Sequence, residues 1–207
     1  MRRVTATGVI VLVTAAVSLA VTFYFGLYQA SMRGGFIPAR ASGLPTDFAA
    51  VPTWLTPLSC TLLHAGVLHL AMNMVMLGFT GRQAERAVGP LGIVILYVVG
   101  AYAAAFAQWL PDPQSVTPMV GASGAASAVV GAYSLLFGRS RAKAIGPIPA
   151  QVVHVLWLAA AWIVINLLVA FAFLGAGLAV AAWAHIGGFI AGLLLARPLL
   201  RWHWRKA

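Results

Sequence analysis

Only three carboxylates occur in the 207 residues, Asp47, Glu85 and Asp112, and charged residues make up 8% of the chain. A water-facing surface of this size needs far more charge, so a soluble globular fold is excluded. One cysteine, Cys60, rules out an internal disulfide and a thiolate metal cluster, and reads as a packing residue. No HExxH stretch is present, which removes the zinc-protease signature. The scarcity of acids also weighs against a histidine-relay transporter, which would want intramembrane carboxylates or paired broken helices. Neither a metal nor a cofactor is implied.

What the chain does have is apolar length: 62% of its residues are hydrophobic and the mean hydropathy is +0.94. Six apolar runs stand out, at approximately 7–29, 58–80, 89–110, 119–138, 151–174 and 178–196. Each is close to the roughly 20 residues that cross a hydrocarbon core about 30 Å thick. The first run follows Arg2 and Arg3 and is longer than the apolar part of a signal peptide, so it reads as a retained helix. The sequence therefore predicts an all-α integral membrane protein, a single six-span domain over 1–207. A long Gly/Pro-rich loop at 30–57 and a short basic tail at 197–207 complete it.

Charge sets the orientation. With six spans both termini share a side, which holds Arg2, Arg3, Arg82, Arg86, Arg139, Arg141, Lys143, Arg197, Arg201, Arg205 and Lys206. The other side holds only Arg33 and Arg40. Basic residues accumulate in cytoplasmic connectors, so both termini are expected in the cytoplasm and the loops at 30–57, 111–118 and 175–177 outside. The positive excess is thus topological and does not mark a nucleic-acid surface.

Polar groups inside spans are costly and usually functional. His154 and His203 fall near the cytoplasmic side and read as incidental. His69 lies 13 residues before Arg82, Ser123 lies 16 before Arg139 and His185 lies 12 before Arg197. At about 1.5 Å per residue, all three sit roughly 18–24 Å above the inner boundary of the core, at one level in its outer half. Ala184, Gly188 and Gly192 recur every four residues on the sixth span, and Gly124, Ala128 and Ala132 do so on the fourth. Such small-residue faces let helices approach closely, which would bring Ser123 within hydrogen-bond reach of His185. His69 and Asn73 share one face of span two and each carries a donor, so they suit either an oxyanion or a plain interhelical hydrogen bond. With no carboxylate inside the spans, a Ser–His dyad is the expected catalytic unit.

The stretches HAGVLHLAMN (64–73), GASG (121–124) and AHIGGFIAG (184–192) resemble the motifs of rhomboid intramembrane serine proteases, in the same order and over most of the chain from about residue 50. The resemblance implies Ser123 as nucleophile and His185 as general base and acid. It implies an oxyanion hole from His69, Asn73 and the Ser123 backbone N–H, with Gly121 shaping the turn before the serine. Gly124, Gly188 and Gly192 would be close-packing positions. His64 would order the outer loop and active-site water, and helical geometry sets it about 140° from His69. Glu85, Arg86 and Gly89 resemble a structural turn after span two. Trp157 and Trp162 mark span five as the expected lateral gate. The expected partners are membrane-protein substrates within the lipid bilayer, and the expected location is a bacterial inner membrane with the site opening to the outer side. The competing expectation is an inactive rhomboid-fold protein that binds membrane clients.

Two features depart from the family pattern. Ser127 stands where many members carry an aromatic residue supporting the catalytic ring, and Phe189, one turn from His185, is expected to supply that apolar surface. The loop 30–57 lacks the adjacent Trp-Arg pair of many relatives, since Trp54, Arg33 and Arg40 are separated.

Overall fold

The computed structural model describes residues 4–138, 142–174 and 181–205. The turn expected at 175–177, and Arg2, Arg3, Arg139, Arg141 and Lys206 of the charge count, lie outside the described residues. The helices are α1 (Ala6–Ala20), α2 (Leu27–Gly34), α3 (Pro38–Ala41), α4 (Thr56–Ser59), α5 (Val67–Trp109), α6 (Ser123–Phe137), α7 (Ala150–Leu174) and α8 (Ala182–Trp204). Among the described residues the only β pairings are two isolated bridges. Among the described residues four helical stretches are long and apolar enough to cross a membrane, Ala6–Phe25, Val67–Trp109, Ala150–Leu168 and Ala182–Trp204, and α6 is a shorter apolar helix. Large apolar side chains such as Leu12, Val75, Phe79, Leu168 and Leu194 project outward. Patches of that extent are stable against lipid tails and not against water.

At about 1.5 Å per residue α5 would be near 65 Å long if straight, twice the hydrocarbon thickness. It is not straight. Gly89 has φ 76°, a left-handed value that breaks the ladder, and Pro90 opens the second limb where its missing N–H costs nothing. A side chain at Gly89 would also strike the His203 ring, 2.5 Å from Nδ1, so the position needs glycine twice over. The sequence reading made 82–90 a loop. Instead the helix continues to residue 88 and turns at one residue, because Gln83, Ala84, Arg86 and Ala87 are competent helix formers right up to the glycine.

Glu85, also expected in that loop, lies on the first limb and performs a different task. Its carboxylate accepts from Ala6 N–H at 2.8 Å, Thr7 N–H at 2.9 Å and Thr7 Oγ1 at 2.6 Å. These are the orphan donors of the α1 N-terminus, where negative charge is favoured. Glu85→Ala is expected to lower the thermal unfolding midpoint in detergent by an amount equivalent to about 1–3 kcal/mol. An unchanged midpoint would show that α1 does not depend on this anchor.

The stretch expected as loop 30–57 is mostly built structure. A π-helical turn, Val21–Phe25, and Gly26 at φ 76° end the first span, and α2, α3 and the start of α4 follow. Phe36 and Met119 exchange backbone hydrogen bonds of 3.0 and 2.8 Å, Ala39 N–H donates to Ser115 O at 3.0 Å, and Ser42 Oγ donates to Pro113 O at 2.8 Å. The outer loop thus braces the segment that leads into α6. At the other end of the chain, α8 runs eight residues past the expected span, to Trp204, so most of the basic tail is helical.

The core forms where both limbs of α5 meet α6 and α8, with Leu77, Ala84 and Val88 from the first limb and Ile93 and Leu96 from the second. Gly124 packs against α5 and α8 at once, since a notional Cβ there would lie 2.6 Å from the Ala104 methyl and 3.7 Å from that of Ala184. Notional Cβ atoms on Gly188 and Gly192 would collide with the carbonyl oxygens of Gly124 and Ala128. Backbone therefore lies directly on backbone along this seam, and its outer end carries Ser123 and His185.

Candidate active site

Ser123 is the first residue of α6, with Ala122 as N-cap. The turn before it is fixed by Gly121, whose φ of 123° excludes other residues without strain and whose N–H donates to Cys60 O at 2.9 Å. At a helix start the first backbone N–H groups have no intrahelical acceptor, so donors are available beside the Ser123 hydroxyl.

The Ser123 hydroxyl lies 2.7 Å from His185 Nε2. The other ring nitrogen, Nδ1, lies 2.7 Å from Asn166 Oδ1 on α7. An amide oxygen can only accept, so Nδ1 carries the proton and Nε2 of the neutral ring accepts from the Ser123 O–H. The Asn166 amide is itself oriented, because its Nδ2 donates to the Trp162 carbonyl at 2.9 Å. Among the described residues no carboxylate bonds to His185. The arrangement is thus a hydroxyl, a ring nitrogen able to take its proton, and a neutral acceptor behind the ring.

His69 borders the site from α5. Its Nδ1 accepts from Ala65 N–H at 3.3 Å, so Nε2 carries the proton and is a donor. A Cβ on Gly121 would sit 3.0 Å from that Nε2 and 3.7 Å from Ser123 Oγ, which places the His69 donor edge across a small gap from the hydroxyl. Asn73 is buried and turns back on its own helix, with Nδ2 donating to His69 O at 2.8 Å. One amide hydrogen is left, Oδ1 has no partner, and no hydrogen bond joins Asn73 to Ser123.

His64 corrects the sequence reading. It does not lie on the span-two helix, since α5 begins only after Gly66, so the 140° offset from His69 has no meaning. The two rings in fact meet edge-to-face with centroids 5.1 Å apart. His64 Nε2 accepts from Ala122 N–H at 3.3 Å, and Nδ1 therefore donates to Ser18 Oγ at 3.2 Å. The ring links α1 to the residue preceding Ser123.

Ser127 Oγ donates to Ser123 O at 2.7 Å, spending its one donor within α6. Phe189 stacks on Trp162, with centroids 4.7 Å apart and planes 9° from parallel, and the Trp162 indole N–H donates to His185 O at 3.1 Å. Trp157 faces outward while Trp162 faces the site. Asn166 and the Trp162 bonds escaped the sequence reading, which sorted the spans for ionisable groups and motif positions. The available signal was Asn166 itself, the one carboxamide between Val152 and Leu174, where an unpaired amide would be expensive.

The family model for the rhomboid domain matches residues 52–202. The chain belongs to the rhomboid family. With its apolar helices, this rhomboid is an integral membrane protein. It is 39% identical over 75 residues to RHOMBOID-like protein 5 of Arabidopsis thaliana, covering 36% of this chain and 24% of that protein. It is 34% identical over 149 residues to RHOMBOID-like protein 4 of the same plant, covering 69% and 33% respectively. It is 30% identical over 140 residues to Rhomboid protease GlpG of Yersinia pestis, covering 67% and 46%. This rhomboid therefore spans between 24% and 46% of the length of these relatives.

Proposed function

We propose that this rhomboid is an intramembrane serine endopeptidase that hydrolyses peptide bonds in or next to the transmembrane helix of membrane-protein substrates, using Ser123 and His185. The observation that carries the reading is the 2.7 Å contact between Ser123 Oγ and a His185 nitrogen that can only accept. His185 takes the hydroxyl proton as Ser123 attacks the carbonyl, then gives it to the leaving amine; water, deprotonated by the same nitrogen, releases the acyl group. In this reading the oxyanion is met by the Ser123 backbone N–H, the His69 Nε2–H and the remaining amide hydrogen of Asn73. No cofactor or metal takes part.

A helix hides its carbonyls in hydrogen bonds, so the substrate must unwind locally. Helix-weakening residues, and by family likeness a small residue before the cut, favour cleavage. We read the chain as a single membrane domain of six spans, counting α1, the two limbs of α5, α6, α7 and α8. An even count and the bias of Lys and Arg put both termini in the cytoplasm, with the site opening to the outer side of a bacterial inner membrane. The lateral entry lies beside α7.

A fluorophosphonate probe applied to the purified protein tests this without a known substrate. Ser123 is expected to label, and Ser123→Ala to be silent. A folded protein that stays unlabelled, while an active rhomboid labels alongside it, would move the chain to the class of rhomboids that bind clients without cutting them.

A further inference from the structure

We propose that Asn166 is a positioning residue for His185, an uncharged member behind the dyad that fixes the imidazole tautomer in which Nε2 is free to take the Ser123 proton. The inference rests on the hydrolase reading of Ser123 and His185.

Three observations carry it. The Asn166 oxygen stands 2.7 Å from Nδ1, and an oxygen that cannot donate holds the proton on that nitrogen. The amide cannot swap its ends, because Nδ2 is committed to the Trp162 carbonyl one turn back on α7. Asn166 is 5% exposed, so turning His185 away would strand the amide oxygen without water. The same helix grips His185 a second time through the Trp162 indole and its stack on Phe189.

This answers the departure at Ser127. A ring beneath the histidine would restrain its plane by contact. Here Ser127 spends its donor on the Ser123 carbonyl, and restraint comes through the hydrogen bonds that His185 makes with α7. A neutral amide suits the surroundings. An aspartate at this depth would need a paired charge to stay ionised, whereas an amide orients the ring with no net charge in the bilayer.

Two variants separate positioning from mere packing. Asn166→Leu keeps the size and removes the acceptor; Asn166→Asp keeps an acceptor for Nδ1–H in either protonation state. The readouts are the rate of fluorophosphonate labelling at Ser123 and the ¹⁵N spectrum of His185 in micelles, assigned with His185→Ala. In the unmodified protein Nδ1 should be the protonated nitrogen. Asn166→Leu should lose that preference and label roughly 10- to 100-fold more slowly. Asn166→Asp should keep the tautomer and recover most of the rate.

A folded Asn166→Leu protein with unchanged tautomer and rate would overturn the proposal. If that variant does not fold, Asn166→Asp decides: the tautomer retained sustains the proposal and the tautomer lost overturns it. If the unmodified protein never labels, the hydrolase reading falls by itself, and the spectra of the two proteins still decide whether Asn166 sets the tautomer.

Discussion

His185→Ala should slow labelling of Ser123 by at least about 10³-fold. An unassisted serine hydroxyl is a weak nucleophile, and no other base stands within hydrogen-bond distance of Ser123 Oγ among the described residues. His69 cannot substitute, because its Nδ1 is turned to Ala65 N–H and its Nε2 is a donor. Thermal midpoints of the variants serve as the folding control. Labelling of His185→Ala at a rate near that of the unmodified protein would mean that Ser123 owes nothing to the imidazole, and the dyad would have to be abandoned.

Gly188→Ala and Gly192→Ala should be the most damaging glycine-to-alanine changes among the described residues. The new Cβ atoms would enter the carbonyl oxygens of Gly124 and Ala128, which are backbone atoms and cannot rotate aside. Relief requires α6 and α8 to separate, at a cost of about 1–3 kcal/mol or more each. Separation also acts on the chemistry. A displacement of about 1 Å at a catalytic pair can cost on the order of 10²-fold in rate. Gly188→Ala, a single turn from His185, should therefore slow Ser123 labelling even in the fraction that remains folded. Gly78→Ala is the matched control, since a Cβ there meets nothing within 4 Å, and it should be neutral or slightly stabilising. Equal midpoints for Gly78→Ala and Gly192→Ala would refute the account of the seam.

The elements that were legible in the sequence are those whose signal is local or counts along a helix. Gly121 to Gly124, the small-residue faces and the approach of Ser123 to His185 all follow from spacing, and the family follows from the motifs. Three features were not legible, each for a different reason. His64 was placed by helical arithmetic that does not hold across Gly66, where the chain is extended before α5 begins. Glu85 looked like a solvated loop acid, because its partners, Ala6 and Thr7, lie nearly eighty positions away in sequence. Asn166 is neutral, so a search for charge passed over it, although the cost of burying an amide is the same argument at smaller magnitude. In each case tertiary partners decide the role, and one residue type at one position does not announce them.

The break at Gly66 and the placement of His64 bear on where this protein can be cut. The family match begins at residue 52, leaving α1 outside it. Yet α1 supplies the Ser18 hydroxyl that receives the His64 proton, and the donors that surround the Glu85 carboxylate. A fragment trimmed to the matched stretch would carry a carboxylate stripped of three hydrogen bonds and, bonded to the residue before the serine, an imidazole whose Nδ1–H has lost its acceptor. The first helix is thus a splint for the segment that carries Ser123, and the smallest piece of this chain expected to hold that segment in place is longer than its recognisable one.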